Sequence, residues 1–148
     1  MNARRLDEPI AAIQPEVPPL LLSRLDCERI EALLDSPAAQ SVDTSALRAE
    51  LDRADVIEPA QVPPDVITMN STARFAIAGG AGVREATLVY PRDADGRADR
   101  VSILAPVGSA LLGLRVGDSV RWPVPGGDLD LRVLSIRYQP EAAGEFHR

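Results

Sequence analysis

The spacing of apolar residues changes near the middle of the chain, at a proline-rich stretch at residues 59–64. Before this stretch, apolar residues recur every three or four positions, which predicts helices. After Val66 they form short runs or alternate with polar residues between glycines and prolines, which predicts strands. The chain is therefore predicted to be α+β: a short N-terminal antiparallel helical hairpin followed by an antiparallel β-sheet domain with one short helix.

This pattern divides the chain into four parts. Residues 1–19 contain four prolines and no sustained period, which indicates a flexible arm. Residues 20–58 form the helical hairpin, residues 59–65 form a stiff linker, and residues 66–148 form the sheet domain.

Local signals set the ends of the two predicted helices. Ser23 is the predicted N-cap of a helix over residues 24–35, which stops before Pro37 because proline disfavours helical backbone at the preceding residue. A second helix is predicted to start near Asp43 and to end before Pro59.

The sheet domain is predicted to hold five or six antiparallel strands around one helix. The strand segments are residues 66–70, 73–77, 83–90, 101–104, 119–124 and 129–138. The helix follows Pro106 and covers residues 107–112. Turns are predicted at residues 79–82 and 95–96, and the tail, residues 139–148, is predicted to be a surface cap.

Composition excludes several kinds of chemistry. Only five residues are aromatic, so the core must be largely aliphatic and a deep aromatic-lined ligand pocket is hard to build. All 16 basic residues are arginine, which excludes lysine-based chemistry. One Cys and one His leave no intrachain disulfide and no zinc site. We therefore predict no catalytic residue, no metal site and no cofactor.

Two weaker signals have simple structural explanations. Cys27 and His147 could form a dyad only if the tail folds back on the first helix; the alternatives are a thiol packed in a helix and a frayed histidine. The glycine-rich residues 79–82 lack the Lys-Ser/Thr that follows a phosphate-binding loop and open no helix, which favours a hairpin turn.

Charge is distributed unevenly along the chain. Residues 1–65 contain 6 Arg and 13 acidic residues, whereas residues 66–148 contain 10 Arg and 9 acidic residues. The acidic first half would repel phosphate backbones and favour a basic partner surface, so no sequence-specific DNA binding is expected. The alternative is a solvated acidic surface.

The N-terminus lacks an apolar signal-peptide run, and no segment approaches the ~18 apolar residues of a membrane span. These features predict a cytoplasmic protein without membrane contact.

One candidate binding site lies around the short predicted helix. Leu111, Leu112 and Leu114 cannot all face inward from a helix of under two turns, so some apolar side chains are expected at the surface beside Pro106. The alternative is a helix wholly buried against the sheet. We call this segment the docking corner; its residues are Ala105, Pro106, Val107, Gly108, Leu111, Leu112 and Gly113.

A second candidate site lies at the tip of the helical hairpin. Asp35 and Asp43 flank the connection between the two predicted helices. Two such carboxylates could hold a magnesium ion loosely. The alternative is ordinary helix capping, with Asp43 at the N-cap and Asp35 in a last turn.

Several long segments resemble the Rnk family, the regulators of nucleoside diphosphate kinase that are related to the transcript-cleavage factors GreA and GreB. The resemblance is carried by Val-Ile-Thr-Met-Asn-Ser-Thr-Ala-Arg-Phe at 66–75 and by Tyr-Gln-Pro-Glu-Ala-Ala-Gly-Glu at 138–145. It also includes residues 87–91, 104–118 and 125–127, and it extends into the helices at 25–34 and 49–54.

This resemblance implies an FKBP-like C-terminal domain and a short N-terminal coiled-coil hairpin. It also implies binding to RNA polymerase near its secondary channel, through the region that matches residues 105–113. The cleavage factors carry paired acids on a longer hairpin, and no matching acidic motif occurs at residues 36–41. The expected function is a non-enzymatic regulator of transcription elongation that competes with Gre factors. Alternatives are a regulator of nucleoside diphosphate kinase, acting directly or through transcription, a transcript-cleavage stimulator, and a prolyl isomerase.

Overall fold

A computed structural model of the chain describes residues 20–79, 82–124 and 126–146. The strands are β1 (Leu21–Ser23), β2 (Asp55–Ile57), β3 (Thr72–Ile77), β4 (Gly82–Val89), β5 (Arg100–Ser102), β6 (Ser119–Val124) and β7 (Gly127–Tyr138). The helices are α1 (Arg24–Leu34), α2 (Ser45–Asp52), α3 (Pro91–Ala94) and α4 (Pro106–Leu111). The mixture confirms an α+β chain; the arm predicted at residues 1–19 lies outside the described residues.

The start of α1 is set locally, as predicted. The Ser23 side chain accepts a hydrogen bond from the Asp26 backbone N–H at 3.1 Å, which satisfies a donor that the first helical turn leaves unpaired. The helix ends at Leu34, and Pro37–Ala39 forms a single 3-10 turn. Arg48 of α2 then donates to the carbonyl oxygen of Leu34 at 2.8 Å and links the two helices.

Two short strands that flank the helices were not predicted. β1 and β2 pair in parallel, with Leu22 opposite Val56. Each strand has only three residues, which is too short for a period-2 pattern to stand out. Their pairing depends on a partner more than 30 residues away, so the helical half is strand–helix–helix–strand and not two helices alone.

The main sheet has five strands in the order β5-β4-β3-β7-β6. Three of its pairings are antiparallel, as predicted, but β5 lies parallel to β4, which corrects the expected all-antiparallel sheet. The chain between β4 and β5 contains the short helix α3 and does not turn back directly as a hairpin would. This helix was not predicted, because Pro91 was expected only to end a strand, whereas it begins α3. Asp95 and Gly96 have positive φ of 51° and 68°, but they end α3 and do not close a hairpin.

The predicted strand at residues 66–70 is wrong. Only Val66 forms an isolated bridge, to Arg115. The segment instead divides its backbone hydrogen bonds among several elements: Ile67 donates to Leu114 at 2.8 Å, and Asn70 donates to Leu88 at 2.6 Å. Asn70 has a φ of 68°, which breaks an extended path.

One continuous apolar core joins the helical half to the sheet. Leu22, Ile30 and Leu34 pack in the same cluster as Phe75 and Leu88 of the sheet. The cluster is mostly aliphatic, as the composition predicted. The candidate sites described below therefore lie where two halves of one packed body meet.

Candidate functional site

The leucines of the docking corner are buried. Leu111 and Leu112 are each 1% exposed and Leu114 is 2% exposed, so the expectation that some of them reach the surface is wrong. The C-terminal part of the short helix is sunk into the core, where Ala110, Leu111 and Leu112 pack in one cluster with residues of the sheet, β1 and α2. A helix of six residues can bury leucines in several directions when neighbours surround it.

The two glycines of the docking corner permit this close packing. A Cβ at Gly108 would collide with the carbonyl oxygen of Ser102, and a Cβ at Gly113 would collide with the Leu20 side chain. Gly113 also has a φ of +78°, which ends α4 in the way its position predicted. Both glycines act in packing, and neither one presents a surface.

The exposed part of the docking corner is its N-terminal end, where α4 begins. Pro106 is exposed, and Ala105 and Val107 are half-buried. Of these three residues, Pro106 lines a groove of about 450 Å³ between the corner, the start of α2 and strand β6. We call this the docking groove; its walls include Val42, Asp43, Leu104, Pro106, Pro123 and Val124. The structure thus brings one predicted acid, Asp43, to the same surface as the corner.

Asp43 is held by the start of α2. Its Oδ1 accepts a hydrogen bond from the Ser45 backbone N–H at 3.0 Å and another from the Ser45 hydroxyl at 2.6 Å. These two hydrogen bonds lower the pKa of Asp43, since they favour its charged form. The groove therefore has a fixed negative charge on one wall.

Asp35 does not lie near Asp43 in the docking groove. Asp35 is the C-cap of α1, and one carboxylate oxygen lies 3.6 Å from Arg48. It does not line the docking groove. Within residues 20–79, 82–124 and 126–146, no group of three or more His, Cys, Asp or Glu side chains is placed to hold a metal ion. Both acids lie at helix ends, but not as the capping alternative placed them: Asp35 is the C-cap of α1, and Asp43 lies one residue before Thr44, the N-cap of α2.

A second cluster, which the sequence analysis missed, lies between α1, the loop at residues 66–71 and the tail. We call it the polar junction; its residues are Asp26, Thr68, Met69, Tyr90, Gln139 and Glu141. Asp26 is 4% exposed and accepts a hydrogen bond from the Met69 backbone N–H at 3.0 Å. The signal was present, because Asp26 precedes Ile30 and Leu34 at four-residue spacing on the buried face of α1.

The tail is part of this junction and not only a surface cap. The Gln139 side chain is buried and donates to the carbonyl oxygens of Pro63 and Val66, each at 2.7 Å. Glu141 accepts a hydrogen bond from the Thr68 hydroxyl at 2.7 Å. Four of the segments that carry the family resemblance, at 25–34, 66–75, 87–91 and 138–145, meet here.

Burial dominates the electrostatics of the junction. Burial is the largest effect on Asp26 and raises its pKa to about 7. The hydrogen bond from the Met69 N–H lowers this pKa, and the nearby Glu141 carboxylate raises it. Burial also raises the pKa of Tyr90, and the Asp26 carboxylate adds to that shift. The Tyr90 hydroxyl is buried, and the Arg29 guanidinium lowers its pKa against these two effects.

The Cys27–His147 dyad lies partly outside the described residues, because His147 is among those not described. Cys27 is half-buried in α1. Burial and the nearby Glu31 raise the pKa of its thiol, which disfavours the reactive thiolate. None of the helices in the described residues is long and apolar enough to cross a membrane.

Comparisons with known proteins agree with the segments that carry the resemblance. The family model "Transcription elongation factor, GreA/GreB, C-term" matches residues 62–138, and the model "Rnk N-terminus" matches residues 18–57. The regulator of nucleoside diphosphate kinase of Escherichia coli K12 is 48% identical over 131 residues, which cover 87% of this chain and 96% of that protein.

A GreA relative and a solved structure are similar to different shares of the chain. GreA of Chlorobium phaeobacteroides BS1 is 35% identical over 92 residues, which cover 61% of this chain and 58% of that protein. A solved structure, the GreA/GreB transcription elongation factor from Nitrosomonas europaea, is 48% identical with a TM-score of 0.65 and covers 82% of this chain and 99% of its own. The chain therefore belongs to the Rnk family, with a C-terminal part that matches the GreA/GreB family.

Proposed function

We propose that this chain is a non-enzymatic regulator that binds bacterial RNA polymerase near the secondary channel and modulates transcription elongation. The observation that supports this proposal is the docking groove, where exposed Pro106 and the edges of Leu104 and Val124 form an apolar surface beside the ionised Asp43. Such a surface suits an apolar side chain flanked by a basic residue on the partner.

The proposal differs in one respect from the expectation made on the sequence. Leu111, Leu112 and Gly113 are buried, so the contact falls to Pro106, which lines the groove, and to its half-buried neighbours Ala105 and Val107. Substitution of Leu112 by a charged residue would disturb the core and would not report on docking.

The test is retention of core RNA polymerase on immobilised protein. We expect Pro106→Arg to reduce retention by about tenfold, because it puts a bulky cation where an apolar surface faces a basic partner. Val116→Arg is the matched control, since Val116 is 42% exposed and does not line the groove. Equal retention of the two variants, with unchanged thermal unfolding, would exclude the groove from the interface.

Competition with Gre factors is part of the same proposal. The match of residues 62–138 to the GreA/GreB family supports competition for one polymerase site. Excess GreA should displace the wild-type chain from core polymerase in proportion to its concentration. Simultaneous binding of both proteins at saturation would contradict competition. The proposal places the protein in the bacterial cytoplasm, where polymerase acts.

A second candidate function is direct regulation of nucleoside diphosphate kinase, which the name of the Escherichia coli relative favours. Kinase activity measured with purified components, with and without this chain, separates direct contact from an effect through transcription. We expect no change in kinase activity with purified components.

The third possibility, stimulated transcript cleavage, requires a metal at the hairpin tip. Because Asp35 lies at the end of α1 and Asp43 lies just before the start of α2, hydrogen-bonded to Ser45, we expect Asp35→Asn and Asp43→Asn to leave cleavage by stalled complexes unchanged.

The finer description of the fold belongs to this proposal as well. We infer an FKBP-like domain at residues 66–148 from its five-stranded sheet and α4, and a coiled-coil hairpin at residues 20–58 from α1 and α2. Since the two parts share one apolar core, they are expected to unfold together.

A further inference from the structure

The described part of the chain begins beside the docking groove. Its first residue, Leu20, is 4% exposed and packs against Gly113, where an added Cβ would collide with the Leu20 side chain. Leu20 also lines a small cavity together with Leu47 and Trp122, and both of these residues line the docking groove as well. The segment at residues 1–19 is therefore attached to the rest of the chain next to the groove.

This segment contains one apolar run. Residues 10–13 read Ile-Ala-Ala-Ile, the longest apolar run before Leu20. Ile10 and Ile13 are three positions apart, a spacing that puts both side chains on one side of a helix or of a polyproline II segment. We call residues 10–13 the apolar run; it can present two branched side chains to one surface.

The apolar run is close enough to reach the docking groove. Ile13 and Leu20 are seven positions apart, which corresponds to at most about 25 Å of extended chain. The groove shares lining residues with the cavity beside Leu20, so it lies within this distance. A short tether keeps the run at an effective concentration on the order of millimolar, so even a weak contact is well populated.

The walls of the docking groove match the apolar run in chemistry. Several of the residues that line it are apolar: Val42, Leu104, Pro106, Pro123 and Val124. Val42, Pro106 and Pro123 are exposed, so two isoleucine side chains placed on them would remove apolar surface from water on both sides. The run has no charged residue and brings no second carboxylate next to the ionised Asp43.

We propose that the apolar run occupies the docking groove in the free protein and covers the surface that binds polymerase, so that polymerase must displace it. The regulatory part of this inference rests on the proposed function, whereas the contact itself does not depend on polymerase. Residues 1–17 lie outside the match to the Rnk N-terminus, so this regulation belongs to the present chain and not to the matched region.

The first test is the indole N–H resonance of Trp122 in the full chain, without polymerase. The chain has one tryptophan, which gives one such resonance, and this residue lines the groove. Ile10→Asp combined with Ile13→Asp should shift the resonance, because two carboxylates cannot be buried against apolar walls. Thermal unfolding checks that each variant is folded.

Asn2→Asp combined with Ala3→Asp is the matched control, since it adds the same charge to the segment outside the apolar run. It should leave the Trp122 resonance unchanged. An unshifted resonance in the variant with both isoleucines replaced, or an equal shift in the control, overturns the proposal.

The second test is retention of core RNA polymerase. The variant with both isoleucines replaced should retain severalfold more polymerase than the wild type, because the fraction of chains with an open groove rises. A shifted Trp122 resonance without this gain would overturn the regulatory part. If neither chain retains polymerase, the proposed function fails, and the resonance alone decides whether the apolar run occupies the groove.

Discussion

Two aspartates in the helical half of this molecule have opposite pKa shifts. Asp43, on the wall of the docking groove, is exposed and accepts two hydrogen bonds from Ser45, which lower its pKa. Asp26, in the polar junction, is 4% exposed, and burial raises its pKa to about 7 although it accepts a hydrogen bond from Met69. The side chain is the same, so the opposite pKa shifts come from the surroundings: burial dominates at Asp26, and the hydrogen bonds from Ser45 dominate at Asp43.

The comparison extends to the two regions that hold these residues. The docking groove joins the helical half to the sheet through apolar contacts behind an exposed surface. The polar junction joins them through buried hydrogen bonds. The docking groove leaves an exposed surface for a partner. At the polar junction, the connection between the two halves depends on the protonation of Asp26.

The largest expected effect is on the buried back of the docking groove. Leu112→Asp should destabilise the protein by more than about 4 kcal/mol, because it buries an unpaired carboxylate where Leu112 is 1% exposed. Pro106→Asp, at the exposed front, should change stability by less than about 0.5 kcal/mol. Urea unfolding of both variants measures the contrast. A small cost for Leu112→Asp would mean that the leucine is accessible in solution.

The next effect tests the polar junction through pH. The folded-state pKa of Asp26 is raised above its unfolded value, so the folded state holds the proton more tightly. Its contribution to the free energy of unfolding is therefore full below about pH 4 and is lost as pH rises to about 7, by an amount on the order of 3 kcal/mol.

The measurement is the free energy of unfolding from pH 4 to pH 8 for the wild type and for Asp26→Asn. The neutral amide should remove this pH dependence and make the protein more stable than the wild type at pH 8. Asp35→Asn is the control, because Asp35 is exposed at the end of α1. A pH profile that Asp26→Asn leaves unchanged would assign the dependence to another group.

A smaller effect concerns the glycine that supports the docking corner. In Gly113→Ala, the new Cβ collides with the Leu20 side chain, and the residue must also adopt a positive φ. In Gly117→Ala the residue must adopt a φ of +93°, but its Cβ has open space around it. Both variants have the cost of left-handed backbone, about 1–2 kcal/mol. Overpacking should add about 1–3 kcal/mol to the Gly113 variant alone. Equal midpoints of urea unfolding would show that Leu20 moves away freely.

The smallest effect is at Asp43. Asp43→Ala removes the hydrogen bonds that hold the first turn of α2, so it should cause a slight loss of helical circular dichroism and a small decrease in Tm. Asp43→Asn, which keeps an acceptor oxygen, should retain most of the stability. A decrease in Tm as large as that of Gly113→Ala would indicate a further role for this carboxylate.

The sequence by itself determined the features that depend on neighbours along the chain. These are the Ser23 cap of α1, the aliphatic core, the end of α4 at Gly113, and most strands of the main sheet. Each follows from hydrogen bonds, backbone angles or periodicity within a few residues. The family membership also came from such local segments.

Only the tertiary structure decided which side chains are covered. Leu111, Leu112 and Leu114 are buried in one core cluster with residues of β1, α2 and the sheet, and no local pattern predicts this. The bond between Asp26 and Met69 spans 43 positions, and the parallel pairs β1–β2 and β4–β5 likewise need distant partners. Burial and pairing of this kind depend on where the whole chain places each surface, so they appear only once the chain has packed.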